Sequence, residues 1–237
     1  MKGVILAGGS GTRMRPLTLG TNKHLLPIGE KPMIFYPIEQ LGEIGIREIL
    51  IVTGPEHLTA FAHLLGDGSE LNVSIQFKVQ AKPGGIAQAL GLSRSFVGDS
   101  QFVLHLGDNI FEKSLKPFAD LFPLKSDASC VILKEVPDPE RFGIAQIQNG
   151  KIIDVIEKPQ NNIGNLCVTG VYGYTPAVFE IVREMKPSGR GELEISDVNA
   201  FYARAGKLAH HTIQGWWIDA GTLESYMEAQ EIIKGVK

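Results

Sequence analysis

The stretch GVILAGGSGTRMRP, residues 3–16, constrains the fold more than any other part of the chain. An apolar run leads straight into a turn of glycine and serine, and Arg13 and Arg15 follow at once. A strand that breaks at glycine presents backbone N–H groups beyond its carboxyl end, and anionic oxygens suit that position. A dinucleotide fingerprint would need G-x-G-x-x-G. Gly9-Ser10-Gly11 begins it, but Met14 stands where the third glycine belongs. The acidic residue expected about 20 residues later, at the end of a second strand, is also missing. The G-x-x-x-x-G-K-[ST] phosphate loop is absent as well. What remains is a glycine loop backed by guanidinium groups, whose forked donors match phosphate oxygens. On these residues alone, a polyphosphate grip and a plain turn with surface arginines both stand. Lys23, in TNKHLLP (21–27), lies in a stretch without periodicity, so it can return to the same strand end or remain a solvated lysine.

Strand-like runs recur at 3–7, 48–54, 73–79, 102–108, 129–136, 165–174 and 208–219. Several are continuously apolar, as parallel strands covered on both faces must be. Helical patterns at 32–45, 57–65 and 85–96 alternate with the early strands, with Pro32 placed for a first helical turn. This alternation predicts an α/β fold, a Rossmann-like, mainly parallel sheet with helices on both faces. The second half differs. Asn149-Gly150 between two alternating runs signals a hairpin within 143–159, so antiparallel additions are expected there. Thr175-Pro176 opens a further helix, residues 192–206 another with Val198, Phe201, Tyr202 and Ala205 on its apolar face, and Thr222 a last one. KPFADLFPLK (116–125) reads as an amphipathic surface segment.

The formal net charge of −3 and the lack of a basic stripe argue against binding nucleic acid by bulk charge. A compact anionic substrate held by a few placed cations fits better. Cys130 and Cys167 each sit in apolar runs and read as reduced core thiols. No window approaches the ~18 apolar residues of a spanning helix, and the short apolar start does not make a signal peptide. A cytoplasmic protein without membrane contact is therefore expected. His210 and His211 alternate on one strand and make a poor shared metal site, while Trp216 and Trp217 read as packing and pocket wall.

Beyond the opening loop, NKHLLPIGEKPMI, HLGDN (105–109), DPERFGI (138–144), EKP (157–159), VTGVYGY (168–174), RGELEISDVN (190–199) and WWIDAGT (216–222) occur in order. Together they resemble the sugar-phosphate nucleotidyltransferases over nearly the whole chain. The resemblance implies the nucleotide-diphospho-sugar transferase fold, as one domain over 1–237. Its nucleotide-binding lobe would span about 1–110, its sugar-phosphate-binding lobe about 111–221 and its C-terminal helix 222–237. It implies condensation of a nucleoside triphosphate with a sugar 1-phosphate, and the nearest branch uses dTTP and glucose 1-phosphate. UTP or another hexose 1-phosphate is the alternative, and a silent nucleotide-sugar-binding regulatory relative the more distant one. All the charged groups that such a relative would lose are present.

Carried onto this sequence, the resemblance makes Asp108 and Asp219 the ligands of Mg²⁺. Arg13 and Lys23 become the phosphate-gripping cations, and Lys158 the residue that holds the sugar phosphate for attack. Leu6, Gly8, Gly9, Ser10, Gly11 and Thr12 would meet the nucleotide, with Gln80 and Gly85 at the base. Gly143, Glu157 and Val168 would join Lys158 around the sugar. Glu157 and Lys158 are neighbours on a strand and can both reach a ligand only if the strand ends or bulges there. The family pattern carries a polar residue where Gly84 stands, leucine at Ile86, threonine at Ala220 and glutamine at His24. None of these departures removes a charged group, so they bear on selectivity. The resemblance further implies a homo-oligomer, a dimer or a tetramer.

Overall fold

The computed structural model describes residues 1–235, with the glycine-terminated first strand inside its main sheet. In chain order the strands are β1 (Lys2–Leu6), β2 (Pro27–Ile28), β3 (Lys31–Pro32), β4 (Glu48–Thr53), β5 (Ser74–Val79), β6 (Phe102–Leu106) and β7 (Asn109–Phe111). They continue as β8 (Ser129–Glu135), β9 (Gly143–Gln148), β10 (Lys151–Glu157), β11 (Leu166–Tyr174), β12 (Leu208–Thr212) and β13 (Trp217–Asp219). The helices are α1 (Phe35–Glu43), α2 (Leu58–Leu65), α3 (Ile86–Gly91), α4 (Arg94–Val97), α5 (Lys116–Ala119), α6 (Val178–Glu184), α7 (Ile195–Arg204) and α8 (Leu223–Ile233).

Nine strands form one sheet in the order β10-β9-β11-β6-β1-β4-β5, with β8 also on β11 and β12 beyond it. β1 runs parallel to both β4 and β6, and β4 runs parallel to β5. From β11 onward antiparallel pairs enter: β11 against β6, β8 and β9, and β9 against β10. The expected division between a parallel first half and antiparallel additions is thus met. Side chains alternate across the sheet. Val4, Leu50, Phe102 and Leu104 face a core shared with α3, α6 and α7. Ile5, Ile49, Ile51 and Val103 face the other core, under α1 and α2 with Phe118 of α5. A third, smaller core joins Met14, Ile28 and Met33 to Ile110, Ile218 and Tyr226. It fixes α8 and the β7–β13 ribbon against the loop that follows β1, and the Tyr226 hydroxyl donates to the Pro27 carbonyl at 2.7 Å.

Local chemistry accounts for most of the boundaries. Thr222 caps α8 through a reciprocal bond pair with Ser225, a motif that contributes about 1 kcal/mol. The hairpin turns at Asn149 and Gly150, both at positive φ (52° and 73°). Cys130 and Cys167 are buried and unbridged, and burial pushes both thiols up to about 12.

Several expectations need correction. The helix expected at 32–45 starts only at Phe35, because Pro32 pairs with Pro27 in a small antiparallel ribbon. The run 85–96 divides into α3 and α4 where the Ser93 hydroxyl bonds back to the Leu90 carbonyl at 2.7 Å. The run 208–219 is two strands in different sheets, separated by Gly215 at φ 84°. Segment 116–125 is not all surface, since Phe118 is fully buried. Thr175 bonds through its hydroxyl to Ser126 rather than capping, and α6 begins at Val178. On α7, Val198 and Tyr202 are buried as expected, but Phe201 is 55% exposed. The last helix closes at Ile233, and residues 236–237 of its expected span lie outside the described residues.

Two buried histidines give the fold a pH dependence. Burial is the main cause that lowers His24 to about 3 and His105 to about 4. The unfolded chain takes up protons near 6.5 that the folded chain refuses until well below, so stability falls as pH drops through 6.5. The slope should be about 1.4 kcal/mol per pH unit for each histidine between pH 6 and 5. Urea midpoints at pH 7.5, 6 and 5 measure it. A double variant, His24→Gln with His105→Gln, should remove the histidine contribution and lower the slope by about 2 to 3 kcal/mol per pH unit over that range, and an unchanged slope would refute the assignment.

Candidate active site

A cavity of about 520 Å³ opens beyond the ends of β1 and β6, where Leu6 and Leu106 form part of its wall. Open parallel sheets place ligands at this edge. The glycine turn after β1 is held rather than free. Gly11 adopts φ 59°, and its carbonyl accepts from the Thr18 hydroxyl at 2.7 Å. The Asn22 amide donates to the Ala7 carbonyl at 3.1 Å, and the Asn22 side-chain oxygen accepts from His24 N at 2.9 Å. Met14, at the place of the missing third glycine, is fully buried in the small core. That side chain pins the turn and leaves Arg13 exposed and without an ion pair among the described residues, at the cavity wall.

The two aspartates expected as metal ligands meet through the β7–β13 ribbon. Asp219 lies opposite Asn109 in that register, and Ala220 N donates to the Asp108 carbonyl at 2.8 Å. The Asn109 side chain donates to Asp108 Oδ1 at 3.1 Å, while its oxygen accepts from Gly170 N and from Trp217 Nε1, each at 2.8 Å. Lys23 Nζ is bonded to Asp108 Oδ2. Burial opposes ionisation of Asp108, but the Lys23 charge, with hydrogen bonds from Lys23 and Asn109, outweighs it and holds the carboxyl well below its usual range. Asp219 has no such hydrogen-bonded partner among the described residues. Burial first, and the Asp108 charge second, push it up to about 6.

Gly221 shows how closely these groups converge. A Cβ built there would lie 2.9 Å from Asp219 Oδ1 and 3.2 Å from both Asp108 Oδ2 and Arg13 Nη2. Only a residue without a side chain leaves that point open. Two carboxylate oxygens around an open point, one of them half-buried and without a hydrogen-bond or ion-pair partner among the described residues, suit a hard divalent cation whose shell is completed by phosphate and water. No cluster of three or more His, Cys, Asp or Glu side chains placed to hold a metal ion occurs among the described residues.

Another part of the wall is a charged lattice. Arg190 forks onto Glu194 at 3.0 and 2.8 Å and reaches Glu157 at 3.3 Å. The Ser196 hydroxyl donates to Glu157 Oε2 at 2.6 Å, and Ser188 donates to Glu194 at 2.8 Å. Burial alone would raise Glu194, but the bonds from Arg190 and Ser188 hold its carboxyl below the usual value. Lys158 sits 3.9 Å from Glu157, and its backbone answers how both neighbours reach the cavity. β10 ends at Glu157, and Lys158 takes φ 45° while its N–H donates to the Phe142 carbonyl at 2.9 Å. The left-handed turn breaks the alternation of the strand. Gly85 (φ 97°) allows the start of α3 to dock here, because a Cβ there would come within 2.5 Å of the Leu193 carbonyl oxygen.

Of the residues expected from the sequence, Leu6, Gly8, Gly9, Arg13, Lys23, Gln80, Gly85, Asp108, Gly143, Glu157, Lys158, Val168 and Asp219 all line this one cavity. Ser10, Gly11 and Thr12 are not among its lining residues. Sequence reasoning gave no role to Asn109, Phe142, Tyr172, Arg190, Glu194 and Ser196, which also line it. Glu157 and Lys158 lie in one quoted motif and Arg190 to Ser196 in another, but only the fold closes the Glu157–Arg190–Glu194 contacts. Trp217 is wall as expected, packed on Phe142 at 5.4 Å.

Residues 2–235 match the nucleotidyl transferase family. The chain is 43% identical, over its whole length and 84% of the relative's, to a glucose-1-phosphate thymidylyltransferase of Neisseria meningitidis. Among solved structures, it resembles one from Bacillus anthracis, described as a candidate glucose-1-phosphate thymidylyltransferase in complex with a sucrose. That likeness has a TM-score of 0.94 and 47% identity and covers 100% of this chain and 96% of the other. A UDP-glucose pyrophosphorylase complexed with UDP-glucose matches with a TM-score of 0.87 and 27% identity, covering 100% and 99%.

A non-glycine residue at positive φ, followed by proline, is strained at the backbone. Lys158→Gly should therefore be more stable than Lys158→Ala by about 1 kcal/mol in urea unfolding. Equal midpoints for the two variants would mean that position 158 carries no strain.

Proposed function

The chain belongs to the nucleotidyl transferase family and is an enzyme of nucleotidyl transfer to a sugar 1-phosphate; from that premise we propose that it makes dTDP-glucose and pyrophosphate from dTTP and glucose 1-phosphate. The observation that carries the reading is the convergence of Arg13, Asp108 and Asp219 on one open point over Gly221, in the same cavity as Lys23 and Lys158. The similarity to thymidylyltransferases at 43–47% identity, against 27% to the uridylyl enzyme, supports dTTP over UTP.

A sugar phosphate is already an anion and a nucleophile, so its attack on the α-phosphorus needs no general base. His24 lines the cavity but is buried and holds its Nδ1 2.7 Å from Asn22, so it has a structural role. The chemical task is to align two mutually repelling anions and to neutralise charge as it moves onto the leaving pyrophosphate. Lys158, aimed into the cavity by its left-handed turn, holds the attacking phosphate. Arg13, exposed and without an ion pair among the described residues, takes the departing phosphates together with backbone N–H groups around Gly8 and Gly9. Lys23 shields Asp108 and adds a second cation near the triphosphate. Asp108 and Asp219 would hold Mg²⁺, which would supply Lewis-acid charge neutralisation at the phosphates. Glu157, kept in place by Ser196, accepts hydrogen bonds from sugar hydroxyls, with Gly143 and Val168 beside it. Leu6, Gln80 and Gly85 face the base. Assembly as a dimer or tetramer and a cytoplasmic location belong to the same proposal. No helix among the described residues is long and apolar enough to cross a membrane.

A pyrophosphate-release screen of dTTP, UTP, dCTP, ATP and GTP against several sugar 1-phosphates tests the substrate pair. The highest kcat/KM should fall on dTTP with glucose 1-phosphate, and release with none of the pairs would refute the reading. Asp108→Asn should lower kcat by roughly 1000-fold while the protein still unfolds in urea as one cooperative transition. Gly221→Ala, which fills the point between the metal-facing groups, should weaken Mn²⁺ binding by roughly 10-fold in electron paramagnetic resonance titrations. Wild-type Mn²⁺ affinity in that variant would remove the metal from this place.

A further inference from the structure

Gln80 follows β5, whose backbone pairing continues one residue further as Gln80 N donates to the Thr53 carbonyl at 2.8 Å. Its side chain is buried at the cavity wall and lies between two partners. Nε2 donates to Gln88 Oε1 at 2.6 Å. Oε1 rests over the backbone of Gly8, 2.8 Å from where a Cβ of that residue would stand. Gln88 itself does not line the cavity; it sits half-buried on α3 behind the wall. Its room comes from Gly84, because a Cβ there would press to 3.2 Å on Gln88 Cγ. The glycine that departs from the family pattern thus stands beside the residue that touches Gln80.

A primary amide presents an acceptor on one side and donors on the other, so turning it over exchanges the two. With Nε2 drawn back onto Gln88, the oxygen is left on the side of the Gly8 loop. Thymine and uracil carry a donor at N3, whereas cytosine carries a bare lone pair there. An amide oxygen accepts from the former and is repelled by the latter.

We propose that Gln88, by accepting from Nε2 of Gln80, fixes the orientation of the Gln80 amide and thereby selects a pyrimidine nucleotide with N3–H over one without it. The inference rests on the reading of Gln80 as the residue that faces the base. Gln88 is a positioning residue, since it acts only through Gln80. The selection is blind to the 5-methyl group: it separates dTTP and dUTP from dCTP, but not dTTP from dUTP.

Substitutions at 88 that keep or invert the hydrogen-bonding role give the test, with kcat/KM for dTTP, dUTP and dCTP measured on each full-length variant. Gln88→Glu can only accept and should keep the wild-type dTTP:dCTP ratio within about threefold, or raise it. Gln88→Lys can only donate, so it turns the Gln80 amide over and should lower that ratio by roughly 10-fold or more, leaving the dTTP:dUTP ratio unchanged. Gln88→Met, with neither role, should fall between them. A general loosening of α3 would move all three nucleotides together and would not distinguish Glu from Lys. A wild-type dTTP:dCTP ratio in Gln88→Lys, or an equal loss in Gln88→Glu, overturns the inference. Gln80→Ala, assayed alongside, separates the two layers. If it lowers the ratio while Gln88→Lys does not, only the role of Gln88 falls; if neither changes it, the base-facing role of Gln80 falls as well.

Discussion

Two carboxylates, one buried and one half-buried, brought to face one point form the constraint on which the rest of this structure depends. Asp108 and Asp219 repel each other in a region sheltered from water, and such a pair is costly unless its charge is answered. Lys23 answers half of it by binding Asp108 directly, and Asn109 fixes the same carboxylate from the other side. The other half stays open. Asp219 is raised towards neutrality, and Arg13 stands nearby; neither has an ion-pair or hydrogen-bond partner among the described residues. A site arranged like this gains most from a ligand that brings both a cation and an anion, as a metal-bound polyphosphate does.

The surrounding architecture serves that arrangement. The β7–β13 ribbon sets the register that places the two aspartates together, and the small core of Met14, Ile110, Ile218 and Tyr226 holds the ribbon against the glycine loop. Met14 explains why the loop is not a dinucleotide fingerprint. A third glycine would have allowed a helix to pack tightly on its strand; a buried methionine instead ties the turn to the far end of the chain. The remainder of the cavity uses the same economy of parts. Arg190 links Glu157 to Glu194, so a cation and a carboxylate from one segment and a carboxylate from another form one lattice before any sugar arrives.

Strand positions were largely legible because continuous apolar runs have few other uses in a chain of this kind, and Asn149-Gly150 gave the hairpin away. Boundaries that depended on partners were not legible. Pro32 left the helix for a ribbon with Pro27, and Phe201 turned to solvent although it kept helical spacing with Val198. The run from Leu208 to Asp219 divided because its two ends pair with strands in separate sheets. Among site residues, those in short glycine- or charge-bearing motifs could be named early. Asn109, Ser196 and Arg190 could not be given roles without their contacts to Gly170, Trp217 and Glu157, far away in sequence.

The sequence by itself determined the reaction class through its resemblance to the sugar-phosphate nucleotidyltransferases, carried by motifs in order along the chain that hold Arg13, Lys23, Asp108, Lys158 and Asp219. It also determined that the sheet would begin parallel, because buried parallel strands must be apolar on both faces. The tertiary structure alone decided how those charges meet. It set Asp219 opposite Asn109, opened the space over Gly221, turned Lys158 out of its strand at a left-handed φ, and leaned Gln88 on Gln80. The reason is physical: hydrophobic patterning is local and survives in one dimension, whereas convergence of charges depends on register and packing, which exist only once the chain has closed on itself.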